Sequence, residues 1–433
     1  MSDTMTTDTL MTDAQAHALD AADPLRDFRD RFHIPRHDGA ETAYFCGNSL
    51  GLQPKGARAH VDEVMDKWAR DAVEGHFLDP APWMPYHALV RGGLAEVVGA
   101  QPAEVVAMNS LTVNLHLMMV SFFRPDAQRN VILMEAGAFP SDRHAMASQL
   151  QVHGLSIDTH LVELEPDRDD GTFSMAAIER AIAEHGERLA LVLWPGVQYR
   201  TGQAFDLEEI ARFGHAAGAL VGFDLAHAVG NLPLRLHDSG ADFAVWCHYK
   251  YMNSGPGAVA GCFVHARHAR TDRPRFAGWW GHDQATRFRM GPEFVPTPGA
   301  DGWQLSNPPI LGLAPLRASL DLFAQAGMPA LRAKSERLTG DLESLIRAHL
   351  GHVLQIVTPA SPAERGCQLS LRVVGGRGMT GRSAGRALFE FLASRGVLGD
   401  WREPDVIRIS PAPLYNTHAD VLRFVRTVQE WQA

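Results

Sequence analysis

The chain has 433 residues, 45% of them hydrophobic, and a formal net charge of −10 from 40 basic and 50 acidic groups. That length buries a large core, in two or three domains or in one large domain with a smaller partner. The absence of any Lys or Arg run argues against nucleic acid and anionic membranes as partners, and no apolar stretch reaches the ~20 residues that cross a bilayer.

In chain order, residues 1–22 are rich in Thr and Asp, with no apolar core and no Lys or Arg. They predict a disordered tail that is neither a secretory signal nor a transit peptide. Cys46, Cys247, Cys262 and Cys367 are far apart and form no CxxC pair, so neither a disulfide framework nor structural zinc is expected. A reducing, cytoplasmic setting is the simplest expectation. Residues 23–75 form an N-terminal segment ahead of a large domain expected over 76–312.

From about residue 104 short apolar runs alternate with amphipathic stretches: EVVAMNS (104–110), VILMEA (131–136), HLVELE (160–165), LALVLW (189–194), LVGFDLA (220–226), FAVWCHYK (243–250) and AGCFVHA (260–266). Strands buried on both faces read this way. The stretches 174–186 and 206–219 carry helical spacing, the second opened by an acidic first turn. The fold class is therefore α/β, a mostly parallel sheet of about seven strands covered by helices. A smaller C-terminal α+β domain is expected over 313–433. It would contain a long helical stretch (316–350) broken near Gly327 and Pro329, strands at 352–359, 367–374 and 406–410, and helices at 383–396 and 418–433.

Lys250 lies 26 residues after Asp224, and each follows an apolar strand into a polar loop. A lysine at the edge of a dry pocket can lose its proton and form an imine with an aldehyde. An aspartate on the neighbouring strand can keep a pyridine nitrogen protonated, which makes the ring an electron sink. Together, with His227 three residues past the aspartate, they point to pyridoxal phosphate. In such sheets ligands sit beyond the carboxyl ends of the strands, where both residues fall. Ser110 and Thr112 open a helical stretch whose N-terminus suits a phosphate, and Phe139 in FPSD can lie on a planar ring. No histidine pair shows metal-ligand spacing on one face, so no metal is expected.

The motifs FCGNSLGLQP (45–54), GHF (75–77), FPSD (139–142), PGVQYRTGQ (195–203), GFDLAHAVGN (222–231), CHYKYMN (247–253), AGWWGH (277–282), LSNPPIL (305–311) and VIRISPAPLYN (406–416) together resemble kynureninase from about residue 40 to the C-terminus. The resemblance implies the aspartate-aminotransferase-like fold of type I pyridoxal phosphate enzymes. It also implies hydrolysis of L-kynurenine or its 3-hydroxy derivative to an anthranilate and L-alanine, in tryptophan catabolism or nicotinamide-nucleotide synthesis. By the same resemblance Lys250 forms the imine and moves protons, Asp224 pairs with the pyridine nitrogen, and Tyr249 adds a hydroxyl. Leu111 and Thr112 supply the phosphate cup, Phe139 stacks on the ring, and Pro140, Ser141, Asp142 and His227 contact the cofactor. Trp279 and Asn307 complete the cofactor set, Trp279 reaching across from a second subunit, which implies a homodimer with shared sites. Pro195 stands at a further contact position but lacks an N–H. Arg408 binds the substrate carboxylate, and His76, Ser306 and Asn307 line the substrate-ring pocket. Three residues able to bond a phenol favour 3-hydroxykynurenine.

Two alternatives remain open. Cys367, 117 residues beyond the lysine, stands roughly where a cysteine desulfurase or selenocysteine lyase of this fold carries its nucleophile, although it opens an apolar run. The other is a non-catalytic protein that keeps pyridoxal phosphate as a structural or sensory ligand. No glycine-rich dinucleotide loop or GK[ST] supports a dehydrogenase or NTPase.

Overall fold

The computed structural model describes residues 10–432. They fold into a large unit, residues 56–199 and 204–325, and a small unit, residues up to Lys55, 200–203 and from Ala326 onward. All seven apolar runs of the large unit are strands: β1 (Val105–Ala107), β2 (Val131–Glu135), β3 (Leu161–Leu164), β4 (Leu189–Pro195), β5 (Leu220–Asp224), β6 (Phe243–Cys247) and β7 (Ala260–Val264). They form one sheet in the order β1-β7-β6-β5-β4-β2-β3. Strands β2 to β6 run parallel, and β7 is antiparallel to both β6 and β1.

Every residue of β2, β6 and β7 is buried, which is why their sequences lack the alternation of a half-exposed strand. Gly222 in β5 makes room for a neighbour, since a Cβ there would overlap the ring of Phe243. The covering helices start where their caps dictate. Ser174 accepts from the Ala177 N–H ahead of Met175–His185, and Asp206 from the Glu209 N–H ahead of Leu207–Ala216. Among the described residues no helix is long and apolar enough to cross a membrane.

The small unit carries a four-stranded antiparallel sheet of β8 (Leu354–Ile356), β9 (Leu369–Val373), β10 (Asp400–Arg402) and β11 (Val406–Ile409), ordered β8-β9-β11-β10. Its main helices are Met328–His349, Gly381–Ser394 and His418–Gln432. The helical stretch does break at Gly327, whose φ of 72° ends the helix Ile310–Ala326. Strand β10 was not anticipated, because its three residues, Asp, Trp and Arg, have no apolar periodicity.

Two expectations are corrected. The tail over 1–22 is not disordered where it is described: Asp13–Ala22 is a helix with a capping box of Thr12 and Gln15. Ala16 and Met11 are buried in the small unit's core, and Asp20 accepts from the N–H groups of His418 and Ala419 at the start of the last helix. Residues 1–9 lie outside the described residues. The unit boundary also falls at Ala326 instead of 313, because the helix up to Gln325 belongs to the large unit, where Arg317 pairs with Glu63 at 3.1 Å. The segment 23–75 divides at Lys55 between the two units.

Candidate active site

Four parallel strands deliver residues to one crevice. Glu135 ends β2, Pro195 ends β4, Asp224 ends β5, and Lys250 follows β6 by three residues. With Leu111, Thr112, Phe139, Ser141, Asp142, Val197, Tyr199, Ala226, His227 and Tyr249 they line a cavity of about 540 Å³, counted out to its open mouth. That size is typical of a site for a small cofactor.

The loop carrying Lys250 is held by its buried neighbour His248. Burial lowers the His248 pKa to about 4, so the ring stays neutral at pH 7. Its Nδ1–H donates to the Val259 carbonyl at 2.6 Å, and its Nε2 accepts from the Trp246 indole at 2.8 Å. The Asn253 N–H closes the turn onto the Lys250 carbonyl at 2.9 Å. Lys250 Nζ lies 3.0 Å from His227 Nε2 and 6.0 Å from the centre of the Phe139 ring. Asp224 is 9% exposed, and its Oδ1 accepts from the Ala226 N–H at 2.6 Å.

At another wall two helix N-termini meet. Thr112 in the first turn of Leu111–Phe122 and Ser141 in the first turn of Pro140–Val152 share a hydrogen bond of 2.7 Å. Unpaired N–H groups and two positive dipole ends there suit a phosphate. The cavity is also rich in acids. Burial first, and then the charge of Asp224, hold both Glu135 and Asp142 well above the usual carboxylate range, against the opposing pull of Lys250 on Asp142. Glu135 Oε2 and Asp142 Oδ1 are buried with no hydrogen-bond partner in the protein. A protonated pyridine ring relieves this crowding of acids and a phosphate group suits the helix N-termini, so the residues present fit pyridoxal phosphate.

Of the expected site residues, the cavity gathers Leu111, Thr112, Phe139, Ser141, Asp142, Asp224, His227, Tyr249 and Lys250. Pro140 sits beside it as the first residue of its helix. Trp279 lines a different cavity with Arg287 and Phe294, and its indole donates to the Arg287 carbonyl at 3.2 Å. Ser306 and Asn307 are exposed. His76 closes a 3₁₀ turn, its Nδ1 3.0 Å from the Val73 carbonyl and its ring edge-on to Trp83. Arg408 belongs to the small unit, fully buried on β11 and paired with Asp400 at 2.8 Å. Pro195 lines the cavity although it lacks an N–H, and so does Glu135, which no motif singles out. Its one sequence signal is an acid ending an otherwise apolar strand.

Spacing also hid one cluster from view. Glu104, His237 and His265, far apart in sequence, bring three possible ligand atoms within 4.8 Å of one another. Their bonds are already used within the protein. Glu104 Oε1 accepts from the Ala266 N–H at 2.7 Å and bonds His237 Nδ1 at 2.9 Å, while His265 Nδ1 accepts from the Arg267 N–H at 3.1 Å.

Comparison with known proteins places this geometry in a family. The family model of the kynureninase C-terminal domain matches residues 331–428, and that of class-V aminotransferases matches residues 86–377. A kynureninase of Xanthomonas campestris pv. campestris (strain B100) is 70% identical over 428 residues, 98% of this chain and 100% of the relative. Among solved structures, the apo cysteine desulfurase of Thermococcus onnurineus NA1 superposes with a TM-score of 0.73 at 17% identity, covering 98% of this chain and 99% of that one. A mutant of C-DES with glycine covalently linked to its pyridoxal phosphate cofactor gives 0.71 at 18% identity, covering 90% and 97%. Such low identities carry the fold alone, which is the type I pyridoxal phosphate fold. The 70% identity carries more: the chain belongs to the kynureninase family, enzymes whose cofactor is pyridoxal phosphate.

Proposed function

We propose that this enzyme hydrolyses the Cβ–Cγ bond of L-kynurenine and 3-hydroxy-L-kynurenine, with preference for the hydroxylated substrate, in tryptophan catabolism. The observation that carries the reading is the convergence of Lys250, Asp224, Asp142 and two helix N-termini on one cavity. Pyridoxal phosphate supplies an aldehyde that joins the substrate amine and a cationic ring that accepts electrons from the bond being broken. Thr112, Ser141 and the backbone at Leu111 anchor its phosphate, and the Asp224 carboxylate keeps its ring nitrogen protonated. Lys250 takes the proton from the substrate Cα and later serves as base for the water that adds to the aryl ketone. Tyr249 returns a proton to the alanine-forming carbon. Arg408 binds the α-carboxylate with its planar fork of donors. The protein works as a cytoplasmic homodimer in which Trp279 reaches the partner's cofactor.

Adding L-kynurenine to the purified, pyridoxal-phosphate-loaded protein should release fluorescent anthranilate and one equivalent of alanine. No anthranilate from a yellow, loaded protein sinks the reading and favours a non-catalytic role. His76, Ser306 and Asn307 can all bond a phenol, and polar groups left unpaired when the hydroxyl is absent cost about 1 to 3 kcal/mol in kcat/KM. Wild type should therefore favour 3-hydroxykynurenine, and a His76→Trp, Asn307→Thr double variant should not. Equal preference in the two proteins would mean that these residues do not read the hydroxyl.

A further inference from the structure

Phe139, the residue expected to stack on the cofactor ring, immediately precedes the helix Pro140–Val152 and lines the cavity. It is 45% exposed, so packing against the protein core does not by itself fix its ring. A phenyl ring in that state can turn about its side-chain bonds, and each turn swings its face away from a ligand. One aromatic neighbour restricts the turning. Tyr199 lines the same cavity, four residues beyond Pro195 at the end of β4. The rings of Phe139 and Tyr199 meet edge to face, with centres 5.4 Å apart and planes at 85°. Aromatic quadrupoles favour this arrangement, because the positive edge of one ring points at the negative face of the other.

The segment that carries Tyr199 is itself tied down at its base. The Gly196 N–H donates to the Asp224 carbonyl at 2.8 Å, the Phe205 N–H donates to the Gly196 carbonyl at 3.1 Å, and a bridge joins Val197 to Ala204. The tyrosine is therefore fastened to the strand end that bears Asp224, while Lys250 Nζ lies over the Phe139 ring, 6.0 Å from its centre. We infer that Tyr199 is a positioning residue of the cofactor site: its ring fixes the plane in which Phe139 meets the pyridine ring. Resting on the stacking role of Phe139 and on the cofactor chemistry proposed above, this gives a task to the tyrosine of PGVQYRTGQ. Holding the cofactor ring in one plane is part of what the protein contributes to such chemistry.

The test titrates the full chain with pyridoxal phosphate and reads two quantities, the Kd and the circular dichroism induced in the visible band of the bound cofactor. Tyr199→Leu keeps apolar bulk and removes the aromatic contact. It should raise the Kd about three- to tenfold, the span expected for loss of one aromatic pair, and weaken the induced dichroism. Tyr199→Phe keeps the ring and should restore both. Because the tyrosine acts through Phe139, adding Tyr199→Leu to Phe139→Ala should change neither quantity further. The inference is overturned if Tyr199→Leu matches wild type, if Tyr199→Phe fails to restore the signal, or if the two substitutions simply add. If Phe139→Ala by itself binds the cofactor as wild type does, the stacking role fails first, and this inference falls with it. Absence of kynurenine turnover alongside the expected Kd and dichroism would count against the proposed reaction and leave the role of Tyr199 standing.

Discussion

Asp224 is the residue on which the proposed chemistry turns most sharply. Its carboxylate sits 9% exposed at the end of β5 with one oxygen bonded to the Ala226 N–H, so Asp224→Asn preserves shape and loses charge. Loss of a charge-assisted bond of this kind costs ~1.5 to 3 kcal/mol before its catalytic part is counted. Turnover should fall more than a hundredfold while the yellow colour of the bound cofactor persists; activity within tenfold of wild type would refute the assignment. Cys367 poses the opposite case. It is completely buried in the small unit, whereas a reactive thiol needs exposure and an electropositive setting. Cys367→Ala should keep kcat/KM within threefold, and a hundredfold loss would revive the desulfurase alternative. Lys250 and Asp224 were legible only as a pair, because each follows an apolar strand into a polar loop and His227 stands three residues past the aspartate. Asp400 was not legible, since one aspartate in a short charged segment is indistinguishable from a solvated surface group until the strand register sets it against Arg408.

Among the elements, the amino ends of β5 and β6 are fastened by a single acid. Asp242, 1% exposed and immediately before β6, accepts from the Val221 N–H of β5 at 2.7 Å. It also bonds His215 of the Leu207–Ala216 helix at 2.9 Å, and His268 and Arg267 beyond β7 at 2.8 Å each. Burial alone would raise its pKa, yet the hydrogen bonds from His215 and His268 and the charge of Arg267 outweigh it and hold Asp242 far below the usual carboxylate range. A depressed folded pKa means that this stabilisation is full above the unfolded value of ~3.9 and is lost as pH falls further. Breaking a buried network costs roughly 3 to 5 kcal/mol. Asp242→Asn should therefore lower the denaturation midpoint at pH 7 and flatten the loss of stability below about pH 4. An unchanged midpoint would show that the network contributes nothing net. Apolar runs announced every strand of the large sheet, but the helix Asp13–Ala22 escaped notice because only Ala16 of its ten residues is buried.

For the whole molecule, the proposed homodimer with shared sites makes a prediction that no single chain can satisfy. Lys250→Ala and Trp279→Ala should each be impaired when pure. Mixed after reversible dissociation, half of the random dimers would pair one variant with the other, and each such dimer would rebuild one intact site of its two. Activity should recover to about a quarter of wild type, by the arithmetic of a two-fold dimer. No recovery above the sum of the separate variants would show that Trp279 acts within its own chain.

The sequence by itself determined the alternation of buried strands and amphipathic helices, and with it the crevice at the strand ends where Asp224 and Lys250 lie, because hydrophobic periodicity is a local signal. It also determined the cofactor, since the order and spacing of its motifs are specific. Only the tertiary structure decided that Glu135 joins Asp142 and Asp224 in one acid-rich cavity, that Asp20 caps the last helix, and that Asp400 pairs with Arg408. Those contacts join residues distant in the chain or set across a strand register, and a polar side chain carries no mark of its partner until packing excludes water and forces it to find one.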